Sequence, residues 1–135
     1  MKKSVALVEM LVGLSTMALI IGLLLMSFKV VLNAVVLSNE AYGVKRRLEH
    51  ARDYAQTYQI NVMWKLSSNN YELVSSSGER ISHYNFPRVV SVSGRSFSFT
   101  PDLKPSIGTT VIVRVGKKEK KIIVDPSTGR IRISP

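Results

Sequence analysis

A single carboxylate interrupts a greasy stretch near the start of the chain. In "KKSVALVEMLVGL" it is Glu9, and no charged residue follows from Met10 to Phe28. A charge at mid-membrane costs roughly 2.5–3.5 kcal/mol, and less near an interface. Glu9 therefore either sits among headgroups and snorkels, or meets a positive charge inside an assembly. The other residues with chemistry to offer are basic. Arg130 and Arg132 alternate with Ile131 and Ile133, so on a strand both arginines project from one face. Lys117, Lys118, Lys120 and Lys121 crowd the hairpin before them. Guanidinium forks suit phosphate oxygens, whereas charges on an edge strand also serve to discourage edge-to-edge pairing.

Catalytic chemistry finds no comparable constellation. The absence of cysteine excludes disulfides, thiolate catalysis and a cysteine zinc site. His50 falls on a helix beside Arg52 and Asp53, and His83 in a Ser-rich loop, without metal-ligand spacing. The serines of "SSSGE" and "SSNN" are turn chemistry. Neither a nucleophile elbow nor a phosphate-cradling glycine loop occurs. The expectation is a protein that is not an enzyme, with no cofactor and no metal.

The elements that must position Glu9 and the arginines differ in composition. The uncharged run of about 20 residues spans a bilayer core of roughly 30 Å at 1.5 Å rise per residue. It exceeds the apolar core of a secretory signal peptide, and "KVVLNAVVL" after it offers no small-x-small cleavage site. Lys2 and Lys3 precede the run, which predicts a cytoplasmic N-terminus and a translocated remainder. Of 19 basic and nine acidic residues, 17 and eight lie from Lys29 onward, a net +9. Such a surface favours nucleic acid, lipid headgroups or an acidic protein face.

"KSVALVE" resembles the cleavage region of type IV prepilins and pseudopilins. In that family a basic leader is cut before the apolar segment, after a small residue, and the fifth residue beyond the cut is glutamate. The resemblance implies a cut by prepilin peptidase between Ser4 and Val5, with Ser4 in the place of the family's glycine. It also implies an often methylated, still cationic amine on Val5, and gives Glu9 its partner: the terminal amine of a neighbouring subunit. An unpaired buried charge is costly, so such a pair sets register and docking order.

Beyond Phe28, Val44, Leu48, Ala51, Ala55, Tyr58 and Val62 step by four and three and form one helical stripe. Lys45, Arg46, Glu49, Arg52, Asp53 and Gln56 occupy the other face, and Glu49 and Arg52 have the spacing of a pair. The pattern predicts one helix from about Val5 to Val62, apolar all round in its first half and amphipathic in its second. The alanines of the stripe favour packing on a sheet over a coiled coil. After Val62, "VMWKL", "YELV", "RVVSVSG", "SFSFT", "TTVIVRV", "KKIIVD" and "RIRIS" read as short strands between turn signals. "VRVGKKEKKIIV" and "IIVDPSTGRIRI" read as hairpins, with Gly129 at a position requiring positive φ.

The strand-rich part resembles the minor-pseudopilin branch that includes general-secretion H-type subunits and FimT-type minor pilins. "LEHARDYAQTYQINVMW", "FSFTPDLKPSIGTTVIV" and the Gly-Arg-x-Arg ending of "KKIIVDPSTGRIRI" carry that resemblance. The expected fold is α+β and pilin-like: a long N-terminal helix, its first half membrane-spanning, packed on an antiparallel sheet. The expected divisions are a leader at 1–4, a membrane and filament-core helix at 5–28, an amphipathic continuation at 29–62 and a β domain at 63–135. The resemblance implies a single-pass subunit of the inner (cytoplasmic) membrane, with its globular part outside the cytoplasm. Its partners would be other pilin or pseudopilin subunits in a type II secretion pseudopilus or type IV pilus. Some FimT-type members bind DNA through the Gly-Arg-x-Arg end. A membrane-tethered DNA receptor for DNA uptake, using Arg130, Arg132 and the four lysines, is therefore the alternative. A signal-anchored domain that never assembles is the third reading.

Overall fold

The computed structural model describes residues 2–134, and the side chains from residue 3; Met1 of the expected leader lies outside the described residues. One helix, α1 (Lys2–Tyr58), precedes eight strands: β1 (Val62–Leu66), β2 (Asn70–Ser75), β3 (Arg80–Asn85), β4 (Val90–Ser93), β5 (Phe97–Phe99), β6 (Thr109–Val115), β7 (Lys118–Val124) and β8 (Ile131–Ser134). The chain divides into two compact units, one ending at Asn33 and one beginning at Ala34.

The described residues of the first unit are helix alone. Their apolar side chains point outward on every side: Val5, Leu11, Leu19, Leu25 and Phe28 are all more than half exposed. In water that surface is unfavourable at roughly 25 cal/mol per Å². The helix is long and apolar enough to cross a membrane. Ser15, Thr16 and Ser27 turn their hydroxyls back to donate to backbone carbonyls three or four residues earlier, so the run presents little unsatisfied polarity.

The second unit holds the core. Leu37, Ala41, Val44, Leu48, Ala51 and Ala55 are buried along α1, spaced by four and three. The buried stripe thus starts a full two turns before Val44, and its small alanines let the sheets approach closely. The periodicity carries the helix to Val62, but α1 ends at Tyr58. Gln59 adopts a left-handed conformation (φ 54), and the Ile60 amide caps the Ala55 carbonyl at 3.2 Å. Tyr58 is consequently exposed, and Val62 is buried as the first residue of β1.

The strands form two antiparallel four-stranded sheets, in the orders β3-β2-β1-β5 and β4-β6-β7-β8. Alternation turns Val62, Trp64, Tyr71, Leu73, Phe97 and Phe99 of the first sheet, and Val111, Val113, Ile122, Val124 and Ile131 of the second, into one core with the α1 stripe. Trp64 stacks on Tyr71 with centroids 4.2 Å apart. Val92 N of β4 donates to Ser68 O in the β1–β2 turn at 3.4 Å, a bond from the second sheet to the first. One strand differs from the sequence reading. Residues 80–85 form the edge strand β3, so His83 lies opposite Glu72 in a ladder and not in a loop.

Candidate functional site

The basic residues that the sequence singled out in the second unit fall into two places. The β7–β8 hairpin is closed by an Asx-type turn, in which Asp125 Oδ1 accepts from Ser127 N at 2.9 Å and Ser127 Oγ at 2.7 Å. The Ser127 hydroxyl, and then its amide, hold the Asp125 carboxyl below the usual aspartate range. Gly129 follows with φ 66, and its amide donates to Asp125 O at 2.9 Å. This geometry sends Arg130 and Arg132 to the surface while Ile131 is buried and Ile133 half-buried. From α1, Arg52 reaches across: Nη1 donates to Gly129 O at 3.3 Å and Nη2 pairs with Asp53 at 3.0 Å.

The result is an open groove of ≈ 450 Å³ between α1 and the edge strand β8. Lys45, Arg52, Arg130 and Arg132 line it, with Glu49 as the one acid among its lining residues. Glu49 pairs with Lys45 one turn away (3.6 Å) and not with Arg52, the partner its spacing suggested. The groove can therefore hold an anion between helix and strand. Sequence reasoning named the two arginines of β8 but missed Lys45 and Arg52 as their companions. The available signal was the Lys45, Glu49, Arg52 row at helical spacing beside the buried stripe.

The four hairpin lysines do not join this groove. Lys117 sits in the β6–β7 turn, where Gly116 (φ 60) supplies the positive first position of a type II′ connection. Lys118 opens β7. Lys120 turns inward, donating to Ser38 Oγ at 3.2 Å over the Tyr42 ring. Lys121 faces outward toward Glu119 at 3.8 Å.

A second polar cluster ties α1 to β3. Arg47 lies over the Tyr84 ring at 3.5 Å and 3.8 Å from Glu40, whose other oxygen accepts from the Tyr84 hydroxyl at 3.2 Å. Flanked by Tyr71 and Phe86, it holds the edge strand against the helix. His50 and His83 are both exposed, and no group of three or more metal-ligating side chains occurs among the described residues.

In the first unit, Glu9 is exposed amid exposed Val5, Val8, Met10 and Val12, and has no ion pair among the described residues. Ser4 and Val5 lie within the first turns of α1.

This architecture has counterparts among solved structures. The type IV minor pilin FimU of Pseudomonas aeruginosa strain PAO1 matches in one crystal form with TM-score 0.62 and 16% identity, over 73% of this chain and 88% of that one. In a second crystal form it matches with TM-score 0.61 and 15% identity, over 73% and 93%. The chain has the type IV pilin fold. At this identity the likeness concerns backbone architecture. No protein-family model matches the sequence, and no curated protein matches it.

Proposed function

We propose that this chain is a minor pilin or pseudopilin subunit. Prepilin peptidase cuts it between Ser4 and Val5. Before assembly it is held in the inner membrane by α1, with its globular unit outside the cytoplasm. It then joins other subunits, helix to helix, in a type IV pilus or the pseudopilus of a type II secretion system. The observation that carries this reading is a helix exposing apolar side chains on all sides, interrupted by one carboxylate, on a chain with the pilin fold. Lipid or neighbouring helices can cover such a surface, and Glu9 gains a partner only from a cation brought into that environment. The Val5 amine freed by cleavage is that cation. Mass spectrometry of the chain recovered from membranes tests the processing. A mature N-terminus at Val5, with or without a methyl group, is expected; an intact start at Met1 or Lys2 contradicts it.

The cationic groove favours a second reading, a membrane-tethered subunit that grips DNA during uptake. Four cations around one groove suit the phosphate contacts that dominate nucleic-acid affinity. No aromatic side chain interleaves with Arg130 and Arg132 on β8, so duplex contact without sequence preference is expected over single-strand stacking. Binding of labelled duplex DNA to the detergent-solubilised full chain should fall linearly in log affinity with log salt. Arg130→Gln with Arg132→Gln should reduce that slope by about two. Absence of binding at physiological salt leaves the structural subunit alone.

A further inference from the structure

The end of the second sheet at the β6–β7 turn carries cations that the groove does not use. Lys117 and Lys118 sit at the turn, and Arg88 and Val89 precede β4, whose Val90 pairs with Val115 and so lies at the same end. The local acid, Glu119, is already engaged by Arg114 at 2.7 Å and Lys121 at 3.8 Å. The Arg114 hydrogen bond holds its carboxyl below the usual range. Arg88, Lys117 and Lys118 are exposed and have no acidic partner among the described residues. Between them Val89 is 63% exposed, an apolar side chain in a cationic rim.

This end packs on the first turns of the globular unit's helix, where Ala34, Leu37 and Ser38 line a cleft with Lys118 and Lys120. Up to that point α1 still exposes apolar side chains, at Val30, Val31, Leu32 and Val35. The uncharged run from Met10 to Phe28 rises about 28 Å, close to a full hydrocarbon core. Residues 29–33 then lead to Ala34, the first residue of the globular unit. Lys118 and Lys120 share a cleft with Ala34, only six residues of chain after Phe28, so the cations of this sheet end are tethered close to the spanning run.

We infer that this sheet end, with Arg88, Val89, Lys117 and Lys118, docks on anionic phospholipid headgroups of the membrane that α1 spans. The inference rests on the membrane-anchored part of the proposed function and is independent of cleavage, filament assembly and DNA. Its effect is to limit the orientations of the globular unit at the bilayer before assembly, since two attachments leave fewer of them open than one.

The chain has no cysteine, so Val89→Cys gives a single labelling site that keeps every cation. The full-length labelled protein is placed in nanodiscs of phosphatidylglycerol or of phosphatidylcholine, each with a headgroup-attached quencher. Strong quenching is expected in phosphatidylglycerol discs only, lost at about 0.5 M salt where the screening length falls to a few ångströms. Lys117→Glu with Lys118→Glu should weaken the docking equilibrium by about fivefold or more per cation. A label at Ile107→Cys, in the loop leading into the opposite end of β6, should stay unquenched in both discs. Equal quenching in both discs, or no response to the lysine reversals, overturns the inference while leaving the membrane span intact. A chain that does not remain with the discs overturns both. Release of the Val89 label from phosphatidylglycerol by duplex DNA at low salt marks the sheet end as a nucleic-acid contact and overturns the lipid assignment.

Discussion

At Gly129 one hydrogen atom separates two loops. A Cβ there would lie 1.8 Å from the Leu103 carbonyl oxygen, and φ is 66, where L side chains are strained. Gly129→Ala should therefore destabilise the globular unit by about 2–3 kcal/mol. It should also displace the carbonyl that Arg52 holds, and with it Arg130. Chemical denaturation reads the first effect, and a stability equal to the parent's would contradict the geometry. Part of this was legible in advance. The Pro-Ser-Thr-Gly turn demands positive φ, and Glu9 announces itself as an acid among apolar residues. The Leu103 approach and the Arg52 bond were not legible, because each joins residues that only the tertiary fold brings together. The groove shares this character: Lys45 and Arg52 look like an ordinary solvated helix face until β8 is laid beside them.

The elements were more readable where one periodicity dominates. The α1 stripe and seven of the strands follow from spacing and β-branched content, because one face of each is buried and the other is not. β3 was missed because "RISHYN" is an edge strand whose burial barely alternates: Ile81, Ser82 and Tyr84 are all half-buried. The helix end was placed late because Val62 fits the stripe equally well as a helical or a strand residue. Leu48 tests the packing that these elements create. It is fully buried at the centre of the stripe, facing both sheets' core. Leu48→Ala should cost about 2–5 kcal/mol in the unfolding of the globular unit. A loss below about 1 kcal/mol, as exposed positions give, would mean that the stripe does not bear on the sheets.

For the whole molecule, the two units have opposite needs. The globular unit buries its own core and presents cations to solvent. The described residues of the unit ending at Asn33 bury no core of their own and need lipid or other helices around them. Among packed helices Glu9 must be paired or neutralised, and the proposed assembly pairs it with the freed Val5 amine of the next subunit. The substitution Glu9→Gln removes the charge and leaves the size of the side chain and the globular fold unchanged. Incorporation of the variant into filaments, compared with the parent chain at equal membrane abundance, tests this most directly. The account predicts a drop of roughly a hundredfold, the effect of leaving one partner of a buried pair alone. Incorporation at the parental level would contradict it and reduce the chain to an anchored domain.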